Sequence, residues 1–445
     1  MVLLQRRQRL ILVSLPIFLL LLLVVTLVWN YRSQFFRPQL SEGLIGSYTE
    51  QDLPPLVTRL LSRGLVKIDD SNRVLPDLAE SVTGNPEGTI FTVKLRDNLR
   101  WVDNSPLKAE DIGNEFEGVD VSYPDAKTIQ YKLSEPFSPF PSLLTKPVFK
   151  SGTHIGVGPY RIQNISFEEG LVARMILGGQ AGYPDLKIDF FPTEKVAKTA
   201  LKLGNVQSIM GISDADDFKN QANLRLYSKV NPAQLVAIFY NTKDKILSDH
   251  NFRLALSFAA PSIPNEQEAQ TSIPPNSWAF NGAVKDYLDN PVQAKNALSK
   301  VENGTGETLT LTVTNHLREV GEQVIQAWQK QGIKARLKVE SGIPQNFQAL
   351  LIAVNIPLDP DQYSLWHSTQ SQTNISHVSN PRIDKDLEDG RKTTDPAKRK
   401  EIYQDFQKVL LDQAPATFLY FPKTQVVYNK KAEQGLKQVL KLQLQ

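Results

Sequence analysis

Leu10 to Trp29 is an apolar run broken only by Ser14, Pro16 and Thr26, and the 37 residues that contain it are unlike the rest of the chain. Twenty residues at about 1.5 Å each reach ~30 Å, the thickness of a bilayer core. A spanning helix tolerates Pro16 by re-satisfying the freed carbonyl locally. Arg6, Arg7 and Arg9 precede the run, and Trp29 and Tyr31 close it. Basic residues before a span place that end in the cytoplasm, and aromatic residues suit the far interface. A cleaved signal peptide is the rival reading. The run is longer than a usual signal core, and Trp-Asn-Tyr-Arg follows it where a small-x-small site is needed. The expectation is one uncleaved transmembrane helix, with the N-terminus cytoplasmic and the bulk of the chain outside.

Charge and cysteine content narrow the remainder. The first 37 residues hold five of the 50 basic residues and no acidic one, so the other 408 carry 45 basic against 47 acidic. The sequence pI of about 8.7 is therefore made by the anchor, and no basic footprint for nucleic acid remains. With no cysteine there is no disulfide, thiolate metal site, cysteine nucleophile or lipidated cysteine. A length of 408 residues is ample for two or three domains.

Beyond a polar linker from Gln34 to about Gly43, short strands and helices mix. Phe91, Val93 and Leu95 alternate with polar residues, as do Ile129, Tyr131 and Leu133, and Leu309, Leu311 and Val313. Period-two apolar spacing predicts half-buried strands. His316 to Gln331 has a helical period, with Val320, Val324, Ile325 and Trp328 on one face, and Gly332 stops it. Ile333 to Val339 then predicts a strand, which makes a βαβ unit of an α/β domain. A helix is expected over 396–412 and an apolar strand over 417–421.

Several blocks, in order, resemble the extracellular solute-binding proteins of the peptide/nickel class, family 5. Leu65-Val66-Lys67 and Leu75-Pro76-Asp77-Leu78-Ala79-Glu80-Ser81 are similar to the family's opening block. Phe91 to Arg96, Leu99 to Asp103, Ser105-Pro106-Leu107 and Glu110-Asp111-Ile112 resemble its signature of a strand, a Trp-x-Asp turn, a Pro and an Asp before a helix. Gly156-Val157-Gly158-Pro159-Tyr160 resembles its Gly-x-Gly-Pro-Tyr turn. Phe239 to Thr242, Asp249 and Phe252 to Leu256 are similar to the block where the chain changes lobes. Asp359-Pro360-Asp361, Trp366, Ser368, Asn374, Asn380-Pro381, Asp384, Arg399 and Tyr403 follow at familiar spacings. The segment from Asp111 to Thr128 is short for the family. Ala260-Pro261-Ser262 replaces its usual Ala-x-Asp-Arg ending.

The resemblance implies an α/β, two-lobed periplasmic-binding-protein-like (type II) fold with the solute buried between lobes. It also implies delivery to ABC permease subunits in the membrane. Expected limits are 1–37 for the cytoplasmic tip, anchor and flank, and 38–42 for the linker. Lobe I would take 43–238 plus 417–445, and lobe II 239–416.

On the residues alone, Asp359 to Ser368 is either a cleft-edge loop or an ordinary turn with a packed tryptophan. It follows the apolar run Leu350 to Val354, as a binding loop delivered by a core strand does. With the resemblance, the candidate ligand-binding set is Tyr48, Asp361, Tyr363, Trp366, His367, Ser368 and Asn374. Peptide-binding members typically hold the ligand's amino group with an aspartate shortly before the Asp-Pro step. Here Ala353 to Leu358 contains no acid. Either the solute lacks an amine there, or another acid such as Asp361 takes over.

Trp101, Asp103 and the Gly156 to Tyr160 turn read as structural, the latter through glycine dihedrals. The five histidines form no His-Glu-x-x-His or His-x-His motif, and only His367 and His377 are metal candidates. No Gly-x-Ser-x-Gly elbow or marked carboxylate pair points to catalysis. The expectation is a non-enzymatic, cofactor-free receptor for a peptide-like or other small solute. A tethered sensor or chaperone on the same fold is one rival, and an extracytoplasmic hydrolase is another.

Overall fold

Three of the most apolar segments, Gln234–Tyr240, Ala349–Asn355 and Ala416–Phe421, lie side by side in the computed structural model. It describes Thr26 and residues 39–444, apart from 114, 181 and 302–305. The three belong to a six-stranded sheet whose order is Gln267–Glu268, Ala416–Phe421, Gln234–Tyr240, Ala349–Asn355, Leu309–Thr314 and Ala335–Glu340. Both faces are covered. Val236, Ile238 and Tyr240 pack with Phe252, Leu256 and Trp328 on one side. Leu235, Ala237 and Phe239 pack with Trp366, Tyr403 and Phe406 on the other. A strand buried on both faces has no solvent side to alternate toward, so it reads as an unbroken apolar run.

The expected βαβ unit is present. Leu309–Thr314 pairs parallel to Ala335–Glu340, and Arg318–Lys330 is the crossover helix. The helix buries Val324, Ile325 and Trp328, and the Trp328 indole donates to Leu256 O at 2.9 Å. Its first turn, Asn315–Leu317, is a tighter 3-10 turn, and Gly332 follows at φ 82°.

A second sheet has seven strands in the order Leu224–Val230, Lys423–Asn429, Ser208–Ile212, Gln39–Ile45, Asp185–Phe191, Leu171–Gly179 and Tyr160–Glu168. Here the sequence expectation needs correcting. Residues 39–42 are not linker but the start of a central strand, flanked on both sides by parallel neighbours. The polar letters misled because Glu42 is fully buried among them.

The two sheets are joined by one antiparallel ribbon. Leu224–Val230 pairs with Lys423–Asn429 in the seven-stranded sheet. The same two chain segments, continued as Gln234–Tyr240 and Ala416–Phe421, pair in the six-stranded sheet. Between them Asn231 N donates to Pro422 O at 2.8 Å. The changeover thus falls at 231–233 and 422, several residues from the expected 238/239 and 416/417 limits.

Residues 47–157 build a third unit on the seven-stranded side. Its four-stranded sheet runs Ala79–Gly84, Ile90–Leu95, Thr128–Leu133, Val119–Asp125, beside the hairpin Val66–Ile68 and Val74–Pro76. Phe91, Val93, Leu95, Ile129 and Tyr131 are buried around Trp101 and Phe140, as their alternation predicts. The Gly-x-Gly-Pro-Tyr turn ties this unit down by close approach rather than by unusual dihedrals. Neither Gly156 nor Gly158 has positive φ, but a β-carbon on Gly156 would strike the Leu61 carbonyl and Ser62, and one on Gly158 the carbonyls of Leu60 and Leu61.

Among the described residues no helix is long and apolar enough to cross a membrane. The expected span, 10–29, lies outside the described residues except for Thr26.

Glu42 sets a testable pH dependence. Its Oε2 accepts from Gln443 Nε2 at 2.8 Å, while its Oε1 and Gln443 Oε1 have no partner. Burial pushes its carboxyl up to about 7, opposed in part by the Gln443 hydrogen bond. A carboxyl raised in the folded state stabilises fully below its unfolded value near 4.5, and that contribution is lost as pH rises to about 7. In Glu42→Gln the new amide can donate to Gln443 Oε1 and does not ionise. Urea unfolding from pH 4 to 8 should show the variant gaining on the parent through that window, by about 3 kcal/mol at the top. A difference that does not change with pH would refute the assignment.

Candidate ligand-binding cleft

Strand Ala349–Asn355 leaves the six-stranded sheet and enters a loop braced by two capped helices. Asn380 caps Pro381–Lys392, accepting from the Arg382 and Ile383 amides. Asp395 caps Pro396–Gln413 through the Ala397 and Lys398 amides. Each helix sends an arginine to the loop. Arg399 makes a two-pronged bond to Asp359, at 2.8 and 2.5 Å, and donates to Gly390 O at 2.8 Å. Arg391 Nε donates to Asp361 Oδ2 at 2.9 Å. Burial works against the Arg399 charge, but Asp359 and the Tyr403 hydroxyl hold it firmly protonated. Burial raises the Asp361 carboxyl, and Arg391 opposes that shift.

Arg391 also joins the aromatic groups. Its guanidinium lies 4.0 Å from the Tyr363 ring centre and 5.2 Å from that of Phe137. His367 stacks on Tyr363 at 4.0 Å. Two groups this close to one ring centre must use its opposite faces, so Tyr363 is sandwiched between guanidinium and imidazole. Phe137 comes from the 47–157 unit, so Arg391 bridges the units.

Further bonds cross the same gap. Ser138 N donates to Arg391 O at 2.7 Å, and Thr394 Oγ1 to Pro86 O at 3.2 Å. At a second place Trp278 N donates to Ser71 O at 3.0 Å, and Asn276 Nδ2 to Asp70 O at 3.3 Å. Near the first set of bridges lies a cavity of about 570 Å³. The 47–157 unit contributes Phe116, Phe137 and Phe140, with Glu117 and Glu135. The facing wall is Tyr363 with Glu388, Arg391 and Lys392. A space of this size, walled by aromatic residues with a few charged groups, is what a small-solute site requires.

The profile of the bacterial extracellular solute-binding proteins, family 5 (Middle), matches residues 113–375. The chain belongs to that family. It is similar to the dipeptide-binding protein of Escherichia coli K12, 24% identical over 480 aligned positions that cover 86% of each chain. A glutathione-binding protein, GsiB, from another Escherichia coli strain is also 24% identical, over 85% of this chain and 86% of its own. Among solved structures, the substrate-binding protein CtaP of Listeria monocytogenes superposes with a TM-score of 0.75 at 18% identity, covering 88% of this chain and 94% of its own. NikZ of Campylobacter jejuni, solved with Ni(L-His), gives 0.70 at 21%, with the same coverage. These likenesses show the α/β two-lobed periplasmic-binding-protein fold. The family consists of solute-binding proteins rather than enzymes.

The expected site residues of this family-5 chain divide. Tyr363 lines the cavity. Asp361 and His367 lie directly behind it, Asp361 on Arg391 and His367 against Tyr363 and Glu388 Oε1, 3.3 Å away. Ser368 serves the scaffold, bonding Asp384 through its amide at 2.8 Å and its hydroxyl at 2.6 Å. Trp366 does not line the cavity. It is 1% exposed, stacked on Phe239, with its indole N–H on Gln362 Oε1 at 2.9 Å. A helical turn points it inward, so Trp366, expected in the ligand-binding set, packs in the core instead. Asn374 is likewise buried, donating to Val378 O at 2.8 Å to hold the loop shut. Tyr48 sits apart, its ring against Phe190 and its hydroxyl on Ile45 O.

Asp361 does not stand ready for a ligand amine, because Arg391 and the Tyr363 amide occupy its two oxygens. Asn355 is engaged with Gln234 at 3.1 Å. Among the described residues no three His, Cys, Asp or Glu side chains are grouped to hold a metal ion. The sequence reading missed Arg391, Glu388, Phe137 and Trp278. Phe137 and Trp278 lie in Pro-flanked segments without period, and Glu388 and Arg391 belong to a helix, Pro381–Lys392, that the sequence reading did not single out.

The buried pair gives a graded expectation. Asp359→Asn leaves Arg399 buried and uncompensated and should cost about 3 kcal/mol in urea unfolding. Asp361→Asn should cost nearer 1 kcal/mol, since Arg391 keeps its two ring contacts and reaches solvent. An Asp359→Asn variant no less stable than Asp361→Asn would show that the pair does not brace the loop.

Proposed function

We propose that this chain is the solute-binding subunit of an ABC importer of the peptide/nickel class, tethered by a helix over 10–29 on the outer face of a membrane. The cavity between the 47–157 unit and the 363–392 segment is the observation that carries this reading, because both walls must part to admit a solute. The ribbon kink at 231–233 and 422 supplies the hinge. Closure would expel water and present one joined surface to the permease, a population shift between open and closed forms. The two lobes then divide at the kink rather than at 238/239 and 416/417. Relatives named for dipeptides and glutathione, and a neighbour solved with Ni(L-His), make a small peptide or a metal chelate the natural solute class.

Trp278 is half-buried on Tyr403 and its amide bonds Ser71 O of the opposite unit, so its indole sits beside the seam, whereas Trp366 is sealed in the core; the pair separates closure from general unfolding. The full chain should be purified, its copurifying small molecule identified by mass, then stripped and titrated back. Tryptophan emission should respond, with the response retained in Trp366→Phe and mostly lost in Trp278→Phe. Loss in Trp366→Phe alone would move the closing contact into the 359–368 loop. If no solute alters either emission or unfolding temperature, the importer reading falls.

The tether has its own test. Protease added to intact cells should digest residues beyond about 38 while sparing a small N-terminal fragment. A wholly protected chain would reverse the proposed topology.

A further inference from the structure

The charged groups that wall the cavity are not balanced. Arg391 has Asp361 at 2.9 Å, and Lys392 has Glu388 at 3.6 Å. Each cation of the cavity thus has its acid. Glu117 and Glu135, both on the 47–157 side, have no ion pair or hydrogen bond among the described residues. Lys146 lies over the Phe116 ring at 5.9 Å and forms no ion pair with either carboxylate among the described residues.

Both glutamates are exposed while the cavity is open to water. A solute filling the cavity displaces part of that water, and a carboxylate that loses water is best compensated by a positive partner. The opposite wall has none to spare. Arg391 is fixed by Asp361 and by the rings of Tyr363 and Phe137, and moving it would leave Asp361 buried and uncompensated. The positive charge must come from the solute. The uncharged lining is mostly apolar, so the rest of the solute meets side chains such as Phe116, Phe137 and Phe140.

The geometry points to a cationic, amphipathic solute, a primary amine or guanidinium on an aromatic or apolar body, with its charge on Glu117 and Glu135. This rests on the cavity being the solute site. It moves amine recognition to the wall opposite the 353–361 segment, where the chain has no free acid. Electrostatic selection by partly hydrated carboxylates is modest and weakens with salt.

The test uses three dipeptides of similar size, Lys-Phe, Gln-Phe and Glu-Phe, titrated calorimetrically into the full chain at low and high salt. Lys-Phe should bind about tenfold more tightly than Glu-Phe, with Gln-Phe between, and salt should narrow the spread. In Glu117→Gln/Glu135→Gln the order should flatten, with Gln-Phe least affected. Both positions are exposed, so the unfolding temperature should stay with the parent and fold loss is not an alternative. Binding of all three with a flat or reversed order would overturn the charge assignment and leave the solute-binding reading intact. An order that survives in the double variant would place the cation elsewhere and overturn it equally. Binding of none, together with silence toward every solute in the emission assay, would bring down both.

Discussion

Asn231 donates its amide to the carbonyl of Pro422, and at that bond two strands leave one sheet and enter another. Everything on the six-stranded side is attached to everything on the seven-stranded side through that ribbon. Pro422 has no amide to give, so the ladder cannot run on unbroken, and the ribbon changes direction there. Two crossings fix the lobes against translation and leave bending as the soft motion. The loop, the helices that brace it and the cavity wall opposite are all placed relative to one another by that single changeover.

The bridges on the far side of the cleft are of a different kind. Ser138 to Arg391, Thr394 to Pro86 and Trp278 to Ser71 are a handful of partly exposed hydrogen bonds. Each is worth about 1 kcal/mol net, since water replaces it on opening. The braced loop is much stiffer, because Asp359 and Arg399 are buried and opening their bond would leave charges without partners. Rigid parts therefore meet across a weak seam. That contrast is what the proposed closure on a solute would draw on.

Much of the core was legible in the chain. Gln234–Tyr240 and Ala349–Asn355 are continuous apolar runs because both faces are covered. The helix Arg318–Lys330 shows its period because it has one wet side, and Leu309–Thr314 shows its own because threonines alternate with the buried leucines and valine. The first strand was not legible. Gln39-Leu40-Ser41-Glu42 has the composition of a linker, and only the parallel neighbours on either side of it, with Gln443 reaching in from the last helix, make it a central strand. The loop was half legible. Asp359 to Ser368 was singled out by its mix of acid, aromatic and hydroxyl groups, but local composition does not say which side chain faces in.

By itself the sequence determined the strand and helix alphabet, the family, and the absence of an acid between Ala353 and Leu358. These are properties of neighbours along the chain, where period and spacing carry the information. Only the tertiary structure decided that Trp366 is core, that Asp361 is already spent on an arginine 30 residues later, and that Glu117 and Glu135 face Tyr363 across a cavity. The two glutamates lie more than 200 positions from Tyr363, on a unit whose meeting with it depends on the ribbon at Asn231 and Pro422. Which charges face one another across the cleft is settled by that meeting, and no local pattern records it.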